Sequence, residues 1–70
     1  MKLSARNQLP GTVTSINRGE AIANVVLEVA GQRLVASITV EAVTELGLKE
    51  GSAVTAIVKA SDVMIATDAD

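Results

Sequence analysis

The sequence predicts an all-β domain, a small β-barrel of the OB type with one short helix. Three observations predict it. β-Branched residues dominate, with ten Val, five Ile and six Thr, and such side chains suit a pleated, half-buried surface. Turn signals divide the chain into segments of strand length. One stretch alone changes to a helical period, so the order is strands, one short helix, then strands, which fits a small barrel.

Thr12-Val13-Thr14-Ser15-Ile16 is the first strand, and Asn17-Arg18-Gly19 is the turn that closes it. Pro10 falls just ahead, where a missing N–H is tolerable. From Ala21 to Val29 the odd positions Ala23, Val25, Leu27 and Val29 form one apolar face. Ile22 and Val26 add apolar groups to the other face, beside Asn24 and Glu28. A strand apolar on both sides predicts burial against a second surface, such as another subunit. Ala30-Gly31-Gln32 turns the chain into Arg33 to Thr39, completing a hairpin.

Thr39 to Gly47 is the helix. Thr39 caps its start, Val40, Val43 and Leu46 recur at three-residue spacing, and Gly47 suits the left-handed position that ends it. Lys49-Glu50-Gly51 is the next turn, followed by a strand from Ala53 to Lys59. A break at Ala60-Ser61-Asp62 precedes a final strand, Val63 to Ala66, and a loose acidic tail.

Composition then bounds what this fold does. The 70 residues make one small domain, 1–70, and a chain of that size buries only about 60% of its unfolded surface alone. There is no Cys and no His, so disulfides and Cys/His zinc sites cannot supplement the core. Partner subunits are the remaining support. An apolar fraction of 49% excludes disorder by low hydrophobicity. The uncharged apolar stretches, Ala53 to Val58 among them, are far too short to span a membrane. Lys2 is followed by polar Ser4, Arg6 and Asn7 instead of the apolar run of a signal peptide. A cytoplasmic protein is the expectation. A net charge of −2, no basic run and no aromatic residue argue against nucleic acid, which needs a basic face and, for single strands, stacking rings.

Catalysis is equally unsupported. Without His or Cys the usual general base and thiol nucleophile are missing. Glu20, Glu41, Glu45, Glu50, Asp68 and Asp70 read as solvated surface charge, and the five glycines fit turns or caps, not a phosphate loop. No metal ligated directly by side chains and no cofactor is expected. Two polar stretches stand out instead. Ser4-Ala5-Arg6-Asn7-Gln8 offers a guanidinium fork, a hydroxyl, two amides and backbone N–H groups with no carboxylate. Lys59-Ala60-Ser61 adds an ammonium and a second hydroxyl. Such donors suit a small anion.

These residues carry a resemblance. Ser4-Ala5-Arg6-Asn7-Gln8-Leu9, followed by Gly11 and Val13, closely resembles the signature of the molbindins, small molybdenum-pterin-binding proteins whose fold also appears as the TOBE domain of molybdate transporters and regulators. The likeness runs through Val25-Val26-Leu27-Glu28-Val29, Thr44-Glu45-Leu46-Gly47-Leu48 and Lys49-Glu50-Gly51 to Val58-Lys59-Ala60-Ser61-Asp62-Val63-Met64-Ile65-Ala66. It covers about Lys2 to Ala66, with no DNA-binding or ATPase domain attached, as in a free-standing molbindin.

The resemblance implies an OB-like fold in an intertwined homo-hexamer, a trimer of dimers, that binds molybdate or tungstate at subunit interfaces. It implies an oxyanion site built on the signature residues Ser4, Ala5, Arg6 and Asn7 of one subunit. Lys59, Ala60 and Ser61 of a second subunit complete it, with Thr39 ahead of the helix. Relatives that place a Ser one turn into that helix have Ala42 here, which removes one hydroxyl. A second class of sites, on backbone amides, falls around Gly19, Glu20 and Ala21.

A buried dianion requires several donors and positive charge. A shell of donors alone also rejects monohydrogen phosphate, whose proton needs an acceptor, whereas molybdate, tungstate and sulfate carry none near neutral pH. Rejection of sulfate then rests on cavity size. The expected role is molybdenum storage and homeostasis without turnover. The alternative is a structural TOBE-type module with a weakened anion site. Carriage of a pterin has no aromatic ring to stack on.

Overall fold

One long strand organises the sheet. In the computed structural model, which describes residues 3–68, β1 (Asn7–Arg18) pairs antiparallel with two neighbours. Its first half meets β4 (Ala53–Val58) and its second half meets β2 (Ile22–Val29). β3 (Gln32–Thr39) lies on the far side of β2, so the order is β3-β2-β1-β4. The helix α1 (Val40–Leu46) follows β3 directly. The readings of Lys2 and Asp70 lie outside the described residues.

β1 is longer than the sequence suggested. Gln8, Leu9, Pro10 and Gly11 are held in it by pairing with Ile57, Ala56, Thr55 and Val54, and not by propensity. Pro10 is thus inside the strand, not ahead of it. Val13 donates its N–H to the Ser52 carbonyl and accepts from the Gly51 N–H, so odd positions hydrogen-bond toward β4. Pro10 therefore faces the opposite edge, where pairing with β2 starts only at Thr12↔Glu28, and no ladder bond is lost. The register shifts between Val13 and Ser15, and the Thr14 hydroxyl donates to the Val26 carbonyl at 3.1 Å. This bulge turns Val13 before it and Ile16 after it to the same face, one buried and one packed against the core. Arg18 stays in the strand, and the turn moves to residues 19–21.

The alternation predicted for the second strand is present: Ala23, Val25 and Leu27 are buried, with Val29 packed beside them. The β2–β3 connection is tighter than expected, because Gln32 already pairs with Val29. The two-residue turn takes φ of 50° at Ala30 and 81° at Gly31, the geometry whose twist matches the flanking strands. The helix forms as predicted. The Thr39 hydroxyl accepts the Ala42 N–H at 3.0 Å, and Gly47 is left-handed. Gly47 and Leu48 donate to the Thr44 and Val43 carbonyls, which satisfies the helix end.

Val43, the buried residue of α1, closes a core of Val13, Ala23, Val25 and Leu27. Five buried side chains among the described residues are few for an independent fold. The barrel also stays open. β3 and β4 keep one unpaired edge each, and an apolar groove of about 440 Å³ lies between them, lined among others by Leu34, Ile38, Val54 and Ala56. The final strand expected over Val63 to Ala66 does not form. β4 ends at Val58, a single 3-10 turn covers Ala60–Asp62, and residues 63–68 join no ladder. β-Branched side chains alone do not make a strand; a backbone edge to pair with is required. Val63, Met64 and Ile65 remain 49%, 92% and 86% exposed.

Candidate functional site

The two polar stretches come together although about fifty residues separate them. The β1–β4 ladder ends at Asn7↔Val58. Ser4-Ala5-Arg6 and Lys59-Ala60-Ser61 therefore leave the same end of the sheet, just beyond its last paired residues. Asn7 and Ala5 are half-buried, while Ser4, Arg6, Lys59, Ala60 and Ser61 are exposed. Among the described residues, neither cation is hydrogen-bonded or ion-paired. At Lys59 the backbone is extended, with ψ of 137°, and then turns as the Asp62 N–H donates to the Lys59 carbonyl at 2.9 Å.

Two positive charges with free N–H groups, two hydroxyls and no carboxylate between them make an acceptor-poor, anion-seeking surface. A planar guanidinium can bind two oxygens of a tetrahedral anion while the ammonium meets a third. On one chain this surface is open to water, where such contacts are weak. Exclusion of solvent has to come from another molecule.

Thr39 is elsewhere. It sits at the far end of the sheet, opposite Ile22, and β1 spans roughly 35–40 Å between the two ends at a strand's rise per residue. There the Val40 N–H donates to the Ala21 carbonyl and the Gly19 N–H to the Ile22 carbonyl, both at 2.8 Å. One chain thus brings Thr39 together with Gly19, Glu20 and Ala21, not with Arg6. The Gly19 amide is already engaged, and the Glu20 carboxylate lies exposed beside it. Among the described residues, no three acidic side chains gather into a set able to hold a metal ion.

Sequence reasoning missed two features. One is the groove between β3 and β4 together with the uncovered run from Val63 to Ile65; the signal was an apolar segment with no turn after it to fold it back. The other is Gly11. A Cβ there would come within 2.6 Å of the Glu28 carbonyl oxygen and 2.7 Å of Val29 Cγ2, so β1 approaches the end of β2 only because that side chain is missing.

Comparison with known proteins agrees with this architecture. The TOBE domain model matches residues 3–65. Molybdenum-pterin-binding protein 2 of Clostridium pasteurianum is 52% identical over 66 residues, covering 93% of this chain and 97% of that one. The structure of a molybdate-binding protein from Sporomusa ovata superposes with a TM-score of 0.92 at 42% identity, over 96% of this chain and all of the other. The cytoplasmic molybdate-binding protein ModG, with molybdate bound, gives 0.87 at 46% identity over 91% of this chain and 46% of its own longer one.

Proposed function

The chain belongs to the TOBE-domain family of molybdenum-pterin-binding proteins, and from that premise we propose that it binds molybdate, and tungstate with it, as a cytoplasmic store without turnover. One observation carries the reading: the β1–β4 ladder ends at Asn7↔Val58, so the Ser4–Arg6 and Lys59–Ser61 stretches emerge from the same end of the sheet. Ala5, Asn7 and Ala60 contribute backbone N–H groups and shape the site. The anion needs no cofactor and no side-chain ligand to the metal itself. The absence of aromatic residues disfavours a pterin as cargo.

Assembly completes the site. The barrel lacks one strand between β3 and β4, and each chain carries an unpaired apolar segment at Val63 to Ala66. A second copy's segment in that groove closes both chains, and the exchange places the Lys59-Ala60-Ser61 linker of each beside the Ser4–Asn7 stretch of the other. Ile22 and Val35, half-exposed on the outer face of β2 and β3, supply the second contact that joins dimers into a hexamer. In that assembly Thr39 reaches an oxyanion site from a neighbouring subunit, and a second site lies near Gly19, Glu20 and Ala21. Residues 1–70 act as one oxyanion-binding domain.

Titration calorimetry with molybdate, tungstate, sulfate and phosphate, on protein whose mass is measured by light scattering, tests this. The expected result is heat from the first two on a hexamer, and none from phosphate. A hexamer silent to all four overturns it in favour of an interaction module that kept the fold and lost the ligand. Because binding at interfaces stabilises the assembly by linkage, saturating molybdate raises the melting temperature; an unchanged melt contradicts interface sites.

A further inference from the structure

We infer that the outer face of the β2–β3 hairpin docks on the same face of a second copy. The two-fold axis runs along the seam between the two strands and sets Glu28 of each chain against the partner's Arg33. The inference rests on the assembly proposed above and specifies its second contact. The core takes Ala23, Val25 and Leu27 from β2 and Leu34, Ala36 and Ile38 from β3, so the alternate residues form the outer face. The register pairs them in rows: Glu28↔Arg33, Val26↔Val35 and Asn24↔Ser37. A two-fold axis along the seam lays each row across its own reversed copy. Carboxylate then meets guanidinium, valine meets valine, and amide meets hydroxyl. The β1–β2 seam offers no such match. Its rows are Thr12↔Glu28, Ser15↔Val26 and Asn17↔Asn24, and Glu28 finds no cation there.

Charge singles out the same face. The chain carries a net charge of −2, yet among the described residues Glu28 is the only carboxylate in a strand, and Arg33 balances it. The two stand opposite in register without an ion pair inside the chain. The Glu28 carboxylate leans instead to the hairpin and accepts the Gly31 N–H at 3.4 Å, while Arg33 has no partner among the described residues. Ile22 and Val35 are 50% and 45% exposed, apolar surface that a like face would cover. Exposed ion pairs contribute little by themselves. The charges set the register, since a slide along the strands takes each Glu28 off its counter-charge.

The test is a charge exchange read by native mass spectrometry on full-length chain, with molybdate calorimetry on the same samples. Glu28→Arg gives a face with two cations and Arg33→Glu a face with two carboxylates, so neither variant docks on itself. Each alone is expected to stop at the arm-exchanged dimer, about one third of the wild-type mass. An equal mixture is expected to return to six chains, three of each, because every face then meets its opposite. Like-charge strain inside one chain cannot be relieved by mixing, so recovery reports the contact between chains. Val35→Asp, which leaves both charged residues in place, is expected to stop at the dimer as well. Variants that assemble like wild type, a mixture that stays at two chains, or a wild type that never exceeds two chains overturns the face. Molybdate heat in wild type with a failed mixture leaves the oxyanion site standing without this contact. Recovery on mixing with no molybdate heat in wild type keeps the contact and overturns the site.

Discussion

At the helix end of the sheet, Gly19, Ala21, Thr39, Ala42 and Val43 exchange hydrogen bonds with their neighbours, and the helix seals the core with Val43. At the other end, Arg6 and Lys59 stand exposed without partners among the described residues, and Val63 to Ile65 lie in water. The first end is completed within one chain. The second presents charge without counter-charge and an apolar segment without an edge. The contrast teaches that the two ends differ in how far one chain satisfies them: the helix end closes its own hydrogen bonds and core, and the other leaves charge and apolar surface for the partners proposed above.

The largest expected effect comes from breaking the open end. Ile65→Asp places a carboxylate on the arm that the proposed exchange buries in a second copy's apolar groove, and an unpaired buried charge is prohibitive. Light scattering should show the assembly falling apart and calorimetry the loss of molybdate heat, with circular dichroism still reporting β-structure. An intact, binding oligomer contradicts the role given to the arm. The closed end gives the next effect. Val43→Ala removes the buried contact of the helix at about 2–3 kcal/mol, which lowers the melting temperature by roughly 10–20 °C for a domain of this size.

Charge removal at the open end separates the two regions most sharply. Arg6→Ala and Lys59→Ala each lose a charge-assisted contact of about 1.5–3 kcal/mol, a loss of affinity of at least about tenfold. The anion-free melt should hold, since both side chains are exposed and neither has a partner among the described residues. The smallest effect lies in the hairpin. Ala30 occupies the left-handed region at φ of 50°, which disfavours an L-residue with a Cβ. Ala30→Asn, a residue that tolerates this conformation, should stabilise the fold by about 0.5–1 kcal/mol in a denaturant melt and leave molybdate affinity unchanged.

The closed end was legible in the sequence because its determinants are local. Alternation from Ala23 to Val29, the Thr39 cap and Gly47 each act within a few residues, and each forms as read. The open end was legible only in its chemistry. Ser4-Ala5-Arg6-Asn7 and Lys59-Ala60-Ser61 were singled out by their donors, yet their juxtaposition depends on a ladder between distant parts of the chain. The same ladder carries Pro10 and Gly11 into a strand their propensities oppose. Val63 to Ala66 reads as a strand by composition and is unpaired here because an edge is not encoded by the residues that need one.

The most direct test of the open-end account is anomalous diffraction at the molybdenum absorption edge, on crystals of the full chain grown with molybdate. The account predicts molybdenum peaks within hydrogen-bonding reach of Arg6 from one subunit and Lys59 from another, with Val63 to Ile65 paired between β3 and β4 of a second copy. Peaks away from both cations, or a crystal in saturating molybdate with no molybdenum peak at that end, would contradict it.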